Sequence, residues 1–101
     1  MRVIRATELE FVAATHEDSD NPGVLKRILL QRDDLVAGRV QMINWALLPV
    51  GQSFSPHYHE DMEEVFIIIH GFARIAAGKT EDTIGPRGAV VIPVGVIHMM
   101  E

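Results

Sequence analysis

Glycine and proline recur at close intervals from Gly38 to Gly95, and the stretches between them are short and rich in β-branched and aliphatic residues. No segment keeps an apolar stripe at helical spacing for three turns, so strands joined by tight turns are the natural reading. Strands are expected at Leu25–Gln31, at 40–48 up to Pro49, at 63–70, and at 72–77 and Thr80–Ile84 around a Gly78-Lys79 hairpin turn. Two more are expected at Ala89–Ile92 and 96–100, on either side of Pro93-Val94-Gly95. Polar, turn-rich loops are expected at 15–23 and 32–38. This pattern predicts an all-β sandwich or barrel. A chain of 101 residues has room for one domain only.

The strand expected at 63–70 is apolar on both faces. Side chains alternate along a strand, so Glu64, Phe66 and Ile68 share one face and Val65, Ile67 and Ile69 the other. A strand with one wet face would alternate apolar and polar residues. The second face therefore calls for a covering layer, either another sheet or a second copy of the chain, and a homodimer is the expected assembly.

The block GQSFSPHYHEDMEEVFIIIHG, residues 51–71, concentrates chemistry-bearing side chains. His57 and His59 are two apart, which in an extended chain places both on one face, roughly 7 Å apart along the backbone. A carboxylate follows after a short polar connection, with Glu63 and Glu64 both at a plausible distance. A distant imidazole, His98, lies in the second short block PVGVIH. Neutral imidazole suits zinc, copper, iron and nickel, and a carboxylate adds affinity for manganese and other hard ions. Three histidines and one glutamate would leave positions open on a six-coordinate ion, which is what distinguishes a reactive site from a structural one. His16 in the polar loop, His70 before Gly71, and Glu60, Asp61 and Glu63 are expected to be solvated rather than ligating.

The spacing within this block resembles the first motif of the cupin superfamily. Gly51, five residues, His57-Tyr58-His59, four residues, Glu64, six residues and Gly71 match that motif position by position, and Glu63 would be out of register. Pro93-Val94-Gly95-Val96-Ile97-His98 is similar to the second motif, although Gly88 lies one residue too close to Pro93. The 16 residues between the blocks, 72–87, are as few as in small single-domain cupins. The resemblance runs from about Val40 to the end; residues 1–39 carry no motif and are assigned N-terminal strands and loops by analogy. It implies one cupin domain over 1–101, folded as a jelly-roll (double-stranded) β-barrel. It implies His57, His59, Glu64 and His98 as ligands of one divalent transition metal: manganese, iron, nickel, copper or zinc. The motif asparagine would fall just past Glu101, and the strand that normally follows is absent from the sequence. Either the chain is cut short or a partner subunit covers the edge left open.

Cupins share a site but not a reaction, so two functions are carried forward. One is a metal-dependent enzyme of dioxygenase, isomerase or lyase type acting on a small organic molecule. The other is a non-catalytic module that binds a small molecule or a metal. Phe66, Ile68 and Met100 are expected to line an apolar pocket, with Arg74 and Arg87 solvated, which favours poorly charged substrates over phosphosugars. A net charge of −5 and no Lys/Arg cluster argue against nucleic acid. No cysteine is present, so thiolate ligands and disulfides are excluded. No apolar run is long enough for a signal peptide or a membrane span, and the expected location is the cytoplasm.

Overall fold

A computed structural model describes residues 4–31 and 40–101; the loop expected at 32–38 lies outside the described residues. Eight strands are described, with one helical turn at Ala6–Glu8. They are β1 (Val12–Ala13), β2 (Leu25–Gln31), β3 (Met42–Leu47), β4 (Glu64–Ile67), β5 (Ala73–Ala77), β6 (Thr80–Ile84), β7 (Ala89–Ile92) and β8 (His98–Met100). All pairings are antiparallel. The chain forms two compact units, 1–49 and 50–101.

The first unit is the sheet β1-β2-β3. β2 pairs with β3 from Leu25 opposite Leu47 to Gln31 opposite Met42, with a bulge between Ile28 and Leu30. The Arg27 guanidinium lies 4.0 Å over the Phe11 ring and donates to the Ala6 carbonyl at 2.8 Å. Buried Lys26 donates to Thr15 Oγ1 at 3.2 Å. β3 was expected within the motif-bearing part of the chain; its hydrogen bonds are to β2.

The second unit holds two sheets, β4-β7 and β6-β5-β8. Its buried side chains are Phe54, Ala73, Ile75, Ile92, His98 and Met100. The Gly78-Lys79 turn joins β5 to β6 as expected, with Gly78 at φ +58°. β4 alternates as the sequence predicts. Glu64, Phe66 and Ile68 are half-buried, whereas Val65, Ile67 and Ile69 are 55%, 64% and 61% exposed. On that exposed face Val65 lies opposite Val91 and Ile67 opposite Ala89.

The ladders do not close a barrel. Among the described residues β4 is bonded along one edge only, to β7, and β6 along one edge only, to β5. Closure needs a partner on both edges of every strand. The expected all-β class is therefore observed as three separate antiparallel sheets. β4 is also shorter than the strand expected at 63–70. Beyond Ile67 the backbone turns to Gly88 and Arg87, with Ile68 N–H donating to Gly88 O at 3.0 Å and Arg87 N–H to Ile68 O at 2.9 Å. β8 begins at His98 rather than Val96, because residues 93–96 form a turn.

Candidate metal centre

His57 and His98 face each other across an isolated antiparallel bridge at the start of β8. His98 N–H donates to His57 O at 2.9 Å, and His57 N–H to His98 O at 3.2 Å. This pairing brings two imidazoles far apart in sequence to a ring separation of 4.4 Å. His59 is held by the turn before β8: Gly95 N–H donates to His59 O at 2.8 Å. Gly95 sits at φ +77°, a conformation that favours glycine, so this residue type is needed where the turn meets the His59 backbone. Glu64 opens β4 opposite Ile92 and points into the same space.

One donor atom from each of His57, His59, Glu64 and His98 lies within 4.8 Å of the others. Bonds of about 2.1 Å to one ion put donors about 4.2 Å apart when they face each other across it and about 3.0 Å apart at right angles, so the widest pair must draw in on binding. His59 Nε2 and Glu64 Oε2 are 2.8 Å apart, close to the ~3.0 Å between donors held at right angles on one ion. Glu64 Oε1 lies 3.6 Å from His98 Nε2.

Backbone carbonyls fix which imidazole nitrogens face the centre. His57 Nδ1–H donates to Ser55 O at 2.8 Å, and His98 Nδ1–H to Val96 O at 3.0 Å. Each bond spans two residues back along the chain, and each leaves the Nε2 lone pair for the centre. His98 Nε2 is buried and has no hydrogen-bond partner, while the His98 side chain is 0% exposed. A buried nitrogen left in this way is costly unless an ion or another group takes its lone pair. The donor set and this orphaned atom both fit a divalent metal.

The surroundings are asymmetric. On the closed side Phe54, 4% exposed, meets His57 edge-on at 5.3 Å and His98 at 6.0 Å, and stacks on Phe66 at 5.9 Å. Phe66 in turn lies 6.1 Å from His98. On the open side the His59 and Glu64 side chains are 23% and 27% exposed. The centre is thus walled by apolar rings on one flank and reachable by solvent on the other.

Of the residues expected to line a pocket, Phe66 stands beside the centre, Ile68 is half-buried, and Met100 is a core residue opposite Ile75. Glu60, Asp61, Glu63 and His70 are exposed and outside the cluster. His16 lies 3.4 Å from Glu17 in the first unit. Arg74 and Arg87 are exposed, as expected. Hydrogen bonds to Glu101 and Glu81 raise the Arg74 pKa above its ordinary value and hold its charge on the surface.

Phe54 was not anticipated. Strand alternation places residue 54 on the face opposite His57, but residues 52–56 form no regular strand, so that parity does not apply. A lone aromatic three residues before His57 was the only available signal.

No family model matches this chain, and none of the curated proteins matches it. Among the described residues no helix is long and apolar enough to cross a membrane.

Proposed function

We propose that this chain is a metal-binding protein of the cupin type, with a jelly-roll arrangement of its strands, whose centre holds one divalent transition metal and acts enzymically on a small organic molecule. The observation that carries this reading is the convergence of the four donors within 4.8 Å, with His59 and Glu64 partly open to solvent. A metal bound there supplies a Lewis acid and, with iron, manganese or copper, a redox centre. The protein's own contribution is orientation. Ser55 O and Val96 O hold the His57 and His98 tautomers, Glu64 adds the one negative charge, and Phe54 and Phe66 exclude water from the closed flank. The exposed apolar face of β4 and β7 supports a self-associating form, in keeping with the expected homodimer.

A second reading, a non-catalytic binding module, draws support from the two rings packed on the histidines. Neither Phe54 nor Phe66 can donate or accept a transferred proton. The two readings separate on whether the bound metal keeps an exchangeable water. With Mn(II)-loaded protein, enhanced relaxation of bulk water protons supports the enzyme. A tightly bound metal without enhancement supports the module.

A further inference from the structure

Between the two sheets of the second unit runs a groove of about 590 Å³ that none of the metal-centre side chains lines. Its size falls in the range of small-molecule sites, about 300–1,000 Å³. Its walls include Ala77, Val90, Ile92 and Val96, with Glu81 and Asp82 at its polar part. Two of these wall residues are direct cross-strand partners of candidate ligands: Ala77 lies opposite His98, and Ile92 opposite Glu64. Partners in an antiparallel pair point to the same face, so at Ala77 and Ile92 the groove adjoins the surfaces that carry the centre, while Ala89 and Val91 add the edge of the exposed face of β7.

Among the described residues no lysine, arginine or histidine lines this space. The cations of the second unit are Arg74, Lys79 and Arg87, and all three are exposed. Arg74 is engaged by Glu81 and Glu101, and Lys79 occupies the β5–β6 turn. A phosphate or carboxylate entering the groove would lose water against apolar walls and meet the Asp82 carboxylate, which shares the face of its cross-strand partner Ile75, while the Glu81 carboxylate on the opposite face is paired with Arg74. Burying an unpaired anion is strongly unfavourable, and like charges add to the cost.

We propose that this groove binds an uncharged, largely apolar small molecule and so delivers that class of ligand to the neighbouring centre, an assignment that rests on the functional reading above for its second half. Charge complementarity selects the occupant. The apolar walls reward a hydrocarbon or aromatic body, and the Asp82 carboxylate disfavours an anionic one.

The test uses a matched pair of probes that differ in charge, 1-naphthol and 1-naphthyl phosphate, added to the full chain after zinc loading. Amide chemical shifts report where each binds, and zinc content is measured on the same sample. The expected result is saturable shifts at Ala77, Val90, Ile92 and Val96 with naphthol, and binding of the phosphate ester weaker by about tenfold or more. Asp82 is exposed, so Asp82→Lys should leave the fold intact, and it should raise affinity for the ester while leaving naphthol little changed. Equal or tighter binding of the ester to the unaltered chain overturns the proposal, as do the absence of naphthol shifts at these amides and an ester affinity indifferent to Asp82→Lys. Zinc bound without naphthol shifts sinks the groove and leaves the metal reading standing. Naphthol bound in the groove of a chain that takes up no zinc supports the groove and sinks the metal reading instead.

Discussion

Replacing Glu64 with glutamine keeps the shape of the side chain and removes the charged donor. In the metal-free protein the change should matter little. Glu64 contacts His59 at 2.8 Å, but the two half-buried side chains keep 27% and 23% of their exposure, and solvent screening holds such a pair to about 1 kcal/mol. The glutamine carbonyl can still accept the His59 hydrogen bond. The metal-bound state is a different matter. Loss of an outer-shell partner typically costs 10–100-fold in affinity, so loss of the anionic ligand itself should cost about 100-fold or more, or about 2.8 kcal/mol. Thermal unfolding measures both effects. At a free metal concentration about 100 times the Kd, the unaltered protein gains about 2.7 kcal/mol, which for a domain of this size raises Tm by roughly 10–20 °C. At the same concentration the variant, with its Kd about 100-fold weaker, gains about 0.4 kcal/mol, or a few degrees. Equal metal-induced shifts in the two proteins, with matching metal-free Tm values, would remove Glu64 from the ligand set.

Three further perturbations probe other parts of the account. His98→Ala removes a ring that is 1% exposed and packed against His57, so it should cost about 2–4 kcal/mol of metal-free stability as well as metal binding; an unchanged denaturation midpoint would contradict the packing described. Gly95→Ala places a side chain at φ +77°, costing about 1–2 kcal/mol, and by disturbing the bond to His59 O it should weaken metal binding in a calorimetric titration; an intact affinity would show that this turn does not position His59. Val65→Lys puts a charge on the exposed face of β4 and should shift any dimer seen by light scattering toward monomer while the metal content stays the same; an unaltered mass would place the self-association elsewhere.

The residues differ in how far the sequence exposed their roles. β2, β6 and β7 begin and end where turn residues and β-branched runs place them. The alternation along β4 was also legible, because a period of two is set by the backbone itself. Barrel closure was not, because edge pairing depends on which segments meet in space, and the ladders leave β4 and β6 each with one bonded edge among the described residues. At the centre, motif spacing brought out the four donors. The carbonyls of Ser55 and Val96 that orient the rings were invisible, since any residue type carries a carbonyl and only the local backbone path aims it. Phe54 was missed because an irregular segment has no parity from which to infer its direction. The groove escaped notice for a similar reason: Ala77, Val90 and Ile92 lie on different strands, and only the ladder registers set them beside His98 and Glu64.

The central claim is that His57, His59, Glu64 and His98 hold one metal ion. Elemental analysis of protein purified without chelators or a histidine tag, beside the His59→Ala variant, tests it most directly. The account predicts about one equivalent of a divalent transition metal per chain, and loss of most of it in a variant that remains folded. A chain that takes up no metal even after metal is added, or a His59→Ala variant that keeps its full complement, would contradict it.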